Sequence, residues 1–116
     1  MTNYKCILIT GSSGFIGSNL AKRILTEQPD TQVIGLDNMN DYYDVRIKEE
    51  RLAELQKFLN YTFIKGNLAD KALIFDIFEK YRPQVVVNLG AQAGVRYSIT
   101  NPDAYIESNM LGFYNI

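Results

Sequence analysis

Gly11, Gly14 and Gly17, spaced three apart in Thr10-Gly11-Ser12-Ser13-Gly14-Phe15-Ile16-Gly17, are the residues of this 116-residue chain best suited to holding a ligand. The first glycine permits a tight turn, the second lets backbone approach a diphosphate, and the third lets a following helix lie close to a sheet. The N-terminus of such a helix offers free N–H groups and a positive dipole end to an anion. A merely structural glycine-rich turn is the alternative, and the flanking residues weigh against it. Cys6-Ile7-Leu8-Ile9 has the pattern of a strand buried on both faces, while Ile16, Leu20, Ile24 and Leu25 recur at helical spacing. Asp37 closes the next apolar run, Val33-Ile34-Gly35-Leu36, 20 residues after Gly17. A dinucleotide fold places there the carboxylate that accepts from the adenosine ribose hydroxyls. A plain turn role for Asp37-Asn38 is the competing reading. A carboxylate at this point also repels a 2′-phosphate, and no Arg or Lys follows until Arg46. The expected cofactor is NAD rather than NADP.

The elements that would position these residues alternate. After the first β-α-β unit comes the polar and aromatic stretch Asn38 to Asp44, then an expected helix over Val45 to Leu59 with Ile47, Leu52, Leu55 and Leu59 on one side. Tyr61 to Gly66 is an expected third strand. Asp70 caps a helix whose buried positions are Leu73, Ile74, Ile77, Phe78 and Tyr81, and Arg82-Pro83 stops it. Val85 to Leu89 is an expected fourth buried strand, and Asn101-Pro102 starts a helix that runs to the end. Strands alternating with helices specify an α/β, Rossmann-type parallel sheet with helices on both faces. The expected strand order is 3-2-1-4, which opens a crevice between strands 1 and 4. Gly90-Ala91-Gln92-Ala93-Gly94 lines that crevice opposite the glycine turn; its small residues suit either close approach of a cofactor or tight turning alone.

Composition narrows the field. Hydrophobic content of 47% and charged content of 22% suit a globular domain, at most one at this length. A net charge of −1 argues against a nucleic-acid surface. The chain has no histidine, which removes His-based triads and His-ligated metals, and no metal site is expected. Its single cysteine, Cys6, falls in the first strand as a small buried hydrophobe, and the lack of a disulfide pair fits the cytoplasm. No signal sequence and no apolar run of membrane-spanning length is present, so no membrane partner is expected.

The glycine turn with Phe15-Ile16-Gly17 resembles that of the extended short-chain dehydrogenase/reductase superfamily, the NAD-dependent epimerases and dehydratases acting on nucleotide sugars. Asp37-Asn38-Met39-Asn40-Asp41-Tyr42-Tyr43-Asp44-Val45 with Lys48 and Arg51-Leu52 is similar to the UDP-glucuronate 4-epimerases. So is Ala91-Gln92-Ala93-Gly94-Val95-Arg96-Tyr97-Ser98, leading to Asn101-Pro102, Tyr105 and Ser108-Asn109. The resemblance implies that Gly11, Gly14, Phe15, Ile16 and Gly17 hold the NAD diphosphate, and Asp37 with Asn38 the adenosine ribose. It places Asn67-Leu68 at the adenine edge, Leu89, Gly90, Ala91, Gln92 and Ala93 along the diphosphate and nicotinamide ribose, and Asn109 at the nicotinamide end. Gly94, Val95 and Arg96 would border the sugar of a UDP-sugar substrate. Arg96 suits a uronate carboxylate, or equally a structural pairing with Asp103 or Glu107. Asn67 stands where the family has Asp, Asn88 where it has His, and Gly90 where it has Ala.

In that family the chemistry rests on a Tyr-x-x-x-Lys helix and a Ser or Thr on strand 5. Tyr61 and Lys65 match only formally: four residues lie ~6 Å apart along a helix but roughly 13 Å apart along a strand. No residue of this chain is therefore expected to be catalytic. The expectation is the amino-terminal, NAD-binding part of a 4-epimerase, inactive alone, with the catalytic half and the sugar-binding domain absent and a homodimer as the full-length state. A UDP-N-acetylhexosamine 4-epimerase, a 4,6-dehydratase or a non-catalytic NAD-binding module are the competing expectations.

Overall fold

Alternation of side chains along the strands builds a core on each side of one sheet. The computed structural model describes residues 4–39, 45–90 and 101–116. Strands β1 (Cys6–Thr10), β2 (Gln32–Asp37), β3 (Tyr61–Lys65) and β4 (Val85–Asn88) are all parallel, in the order β3-β2-β1-β4. This is the order expected for a doubly wound fold, and it follows from right-handed crossovers through helices. Helices α1 (Phe15–Glu27), α2 (Val45–Leu55) and α3 (Lys71–Tyr81) make those crossovers.

On one face Cys6, Leu8, Ile34 and Leu36 pack with Ile74 and Ile77 of α3, and with Leu68. On the other, Ile7, Ile9 and Val33 pack with Ala21 and Leu25 of α1, Leu55 of α2, and Tyr61. Helices therefore cover both faces. Leu8, Ile9, Val33 and Ile34 have no exposed surface; burying each such side chain contributes about 1.5–3 kcal/mol. Asp70 caps α3 by accepting from the Leu73 amide at 3.1 Å.

Strands β3 and β4 each end one residue short of the sequence expectation, and three larger features differ from it. Helix α2 ends at Leu55 rather than Leu59, and Leu59 and Ile47 are exposed. The chain must leave the helix there to bring Asn60 beside β2: Val33 N–H donates to the Asn60 carbonyl at 2.9 Å, and Asn60 Nδ2 donates to the Thr31 carbonyl at 2.7 Å. The C-terminal helix is not uniform. It runs as α4 (Pro102–Tyr105), a wider π turn (Ile106–Leu111) and α5 (Gly112–Asn115). The widened turn resets which residues face inward, and Gly112 and Asn115 are the buried ones. Finally, β4 is half-buried rather than buried, because among the described residues it pairs only with β1.

Candidate nucleotide-binding site

The turn between β1 and α1 is folded by its own glycines and tied to the end of β2. Gly11 adopts φ +68°, the left-handed region that favours glycine. Its amide donates to the Leu36 carbonyl at 2.8 Å, the Ser12 amide reaches the same oxygen at 3.3 Å, and the Gly14 amide closes back on the Gly11 carbonyl at 3.1 Å. A Cβ on Gly17 would lie 2.2 Å from the Gly11 carbonyl oxygen, so only glycine lets α1 start this close to the turn. Gly14, the residue preceding α1, offers no side chain as a cap, so among the described residues no side chain caps the first-turn amides of Phe15, Ile16 and Gly17. An uncapped helix start, with its positive dipole end, is a receptor for an anion.

Asp37 sits at the end of β2 with 5% of its surface exposed. Its Oδ2 accepts from the Ser13 amide at 3.0 Å, and its Oδ1 accepts from the Met39 amide at 2.8 Å and from Lys48 Nζ at 3.2 Å. The carboxylate thus ties β2 to the glycine turn. Among the described residues it accepts three hydrogen bonds, against roughly four acceptor positions on a carboxylate. Met39 is held at φ +56° next to it, a conformation uncommon outside glycine.

Across the crevice, Thr10 joins β1 to β4. Its hydroxyl donates to Asn88 Oδ1 at 2.5 Å and accepts from the Gly90 amide at 2.9 Å. A Cβ on Gly11 would lie 2.9 Å from the Leu89 carbonyl carbon, and one on Gly90 would lie 2.6 Å from Leu68 Cδ1. The two loops and Leu68 are in close packing, so the crevice floor is made of backbone. Asn67 turns its side-chain carbonyl to the Ala69 amide at 2.9 Å, committing one of its two acceptor positions. Asn115 Nδ2 donates to the Leu68 carbonyl at 2.8 Å, tying the C-terminal helix to the same loop.

The structure therefore brings Gly11, Gly14, Phe15, Ile16, Gly17, Asp37, Leu68, Leu89 and Gly90 to one end of the sheet, with Phe15 and Ile16 exposed at its mouth. Asn38 follows directly on Asp37 and is exposed, and Asn109 is exposed on the π turn. Ala91, Gln92, Ala93, Gly94, Val95 and Arg96 lie outside the described residues. Tyr61 and Lys65 lie on β3, so their formal spacing makes no catalytic pair. Sequence reasoning gave no role at the site to Lys48, Arg51, Thr10, Asn88 or Asn115. Arg51 donates to the Ser13 carbonyl at 3.3 Å, and its guanidinium lies 5.9 Å from the Phe15 ring centre. Lys48 and Arg51 come from one face of α2, and only the crossover of that helix reveals that they meet the turn.

The chain matches the model of the GDP-mannose 4,6 dehydratase family over residues 8–116. It belongs to that family. This places it among the NAD-dependent epimerases and dehydratases of the short-chain dehydrogenase/reductase superfamily. It is 53% identical over 110 residues to Protein CapI of Staphylococcus aureus, covering 95% of this chain and 32% of that protein. It is 44% identical over 109 residues to a probable UDP-glucuronate 4-epimerase of Rhizobium meliloti, covering 94% of this chain and 31% of that one. The crystal structure of UDP-glucuronic acid 4-epimerase from Bacillus cereus, in complex with UDP-glucuronic acid and NAD, superposes with a TM-score of 0.82 at 26% identity. That match covers 95% of this chain and 34% of the other. The chain spans about a third of the length of the relatives it matches.

Proposed function

We propose that this chain is the NAD-binding portion of a nucleotide-sugar 4-epimerase that interconverts UDP-glucuronate and UDP-galacturonate. The observation that carries the cofactor reading is the uncapped start of α1 lying beside the buried Asp37, with the glycine turn bonded to both. NAD fits this donor set. A diphosphate would be held by the amides of Phe15, Ile16 and Gly17, and the adenosine ribose by Asp37 with Asn38. Asn67 and Leu68 would border the adenine. Leu89 and Gly90, followed by Ala91, Gln92 and Ala93, would run along the nicotinamide side, with Asn109 at its end. When bound, NAD would supply a hydride acceptor that takes the hydride from the sugar C4 and returns it to the opposite face. Asp37 is paired with Lys48, so its repulsion of a 2′-phosphate is weaker than that of a bare carboxylate. The preference for NAD rests instead on matching: a ribose hydroxyl donates to the remaining acceptor position, and a phosphate does not.

The uronate reading rests on the likeness to UDP-glucuronate 4-epimerases by sequence and by structure. Gly94, Val95 and Arg96 are the candidates to border the sugar, with Arg96 the candidate partner of the carboxylate. The nucleotide sugar is the only partner class this reading requires besides NAD; a homodimer and a cytoplasmic location are part of the same proposal. The test compares UDP-glucuronate, UDP-glucuronate's neutral counterpart UDP-glucose, and UDP-N-acetylglucosamine with the full-length enzyme, wild type and Arg96→Leu. Faster turnover of the uronate by wild type supports the assignment, and preference for a neutral sugar overturns it. Unchanged preference in Arg96→Leu removes the role given to Arg96 alone.

A further inference from the structure

Tyr61 makes no catalytic pair with Lys65 along β3, yet its hydroxyl occupies a distinctive place. The residue lies on β3, 8% exposed, opposite Val33 of β2. Its ring leans two residues along β2 to Gly35, where the absence of a side chain receives it: a Cβ there would stand 1.9 Å from the Tyr61 hydroxyl and 2.8 Å from Ser12 Oγ. The phenol of β3 and the hydroxyl of the glycine turn therefore share one space above Gly35. Ser12 is fully buried, and the hydroxyls of Ser12, Ser13 and Tyr61 are buried without a hydrogen-bond partner among the described residues. Buried hydroxyls left in one another's neighbourhood are costly unless they engage each other.

We propose that Tyr61 is a positioning residue for the cofactor-binding turn: its hydroxyl, passing over Gly35, bears on Ser12 and holds the Gly11–Gly14 turn in the conformation that leaves the start of α1 open to the diphosphate. The proposal rests on the NAD reading for its consequence, though not for the contact itself. Two further observations support it. The turn's anchors, the Gly11 and Ser12 amides on Leu36 O, lie one residue beyond Gly35 on the same strand. Burial, with a smaller push from the Asp37 charge, raises the phenol to about 12, while the nearby Ser12 hydroxyl offsets part of that rise without reaching hydrogen-bond geometry. The phenol is therefore a proton donor throughout the neutral range.

The test uses the full-length protein and Tyr61→Phe, which keeps the ring in the core, together with Ser12→Ala and the double variant. Amide hydrogen exchange is followed without ligand, and NAD binding by titration calorimetry. The expected result is faster exchange confined to the turn amides, NAD binding weakened about three- to tenfold in Tyr61→Phe, and a double variant no weaker than the worse single one. The thermal midpoint stays within a few degrees of wild type. Unchanged exchange in the turn overturns the proposal, and so does acceleration spread over β2 and β3, which marks a packing role only. Faster turn exchange with NAD binding unchanged also overturns it. If wild type binds no NAD while turn exchange still accelerates in Tyr61→Phe, the positioning contact stands and the cofactor reading falls.

Discussion

Asp37 shows how much one buried carboxylate does here. It bonds the glycine turn through the Ser13 amide, the following chain through the Met39 amide, and α2 through Lys48. Asp37→Asn keeps the shape and removes the charge, so NAD binding is expected to weaken by about 1–3 kcal/mol as charge-assisted hydrogen bonds are lost; calorimetric titration of the full-length protein with NAD measures it. Tyr61 makes a separate prediction through pH. Its phenol rises from 10.0 unfolded to about 12 folded, so the folded state holds this proton more tightly. The stabilisation is complete below pH 10 and is lost as pH rises from there through 12, amounting to about 2–3 kcal/mol. Urea unfolding at pH 9 and pH 11.5 should show a larger loss for wild type than for Tyr61→Phe. Equal losses would refute the assignment of that slope to Tyr61.

At the scale of elements, the ends of helices and strands carry the informative detail. Helix α3 stops where Arg82 adopts φ +47°, its amide donating to the Phe78 carbonyl at 3.1 Å. Glycine takes that conformation without a Cβ penalty, so Arg82→Gly is expected to stabilise the fold by roughly 0.5–1 kcal/mol, read as a higher denaturation midpoint. The join of β1 to β4 behaves oppositely. Thr10 is fully buried, and its hydroxyl serves both Asn88 and Gly90. Thr10→Val is expected to cost about 1–3 kcal/mol, because it leaves the Gly90 amide and the Asn88 carbonyl without their partner. Measured unfolding that matches wild type would show that the strand ends do not depend on this staple.

For the molecule as a whole, the sheet ends on two outer strands, β3 and β4. Apolar β4, Val85-Val86-Val87-Asn88, is half-buried, and among the described residues its second edge has no strand beside it. Phe113, Tyr114 and Met110 add exposed apolar surface at the C-terminal helices. An open apolar edge is a pairing hazard. The 116-residue chain by itself is therefore expected to self-associate at high concentration, and sedimentation as a clean monomer would contradict this. It is also expected to turn over no sugar, since Tyr61 and Lys65 share a strand rather than a helical turn. Activity that vanished in Tyr61→Phe would contradict that.

The strand order, the glycine turn and the placing of Asp37 at a strand end were all legible in the sequence. Each depends on local physics: periodicity of apolar residues, the torsional freedom of Gly11, and the short range over which a β-α-β unit closes. Family membership was legible for the same reason, because it is written in contiguous stretches. What only the tertiary structure decided are the contacts between residues far apart in the chain. Lys48 is 11 residues from Asp37 and meets it because α2 crosses back over the sheet. Thr10 meets Asn88 and Gly90 across roughly 80 residues through a parallel strand pairing. The early end of α2 at Leu55 was equally hidden, since helix propensity continues to Leu59 and only the need to register Tyr61 against Val33 ends it. The space at Gly35 that admits the Tyr61 hydroxyl exists only once β2, β3 and the turn are packed together. Local preference chose the elements; packing chose their partners.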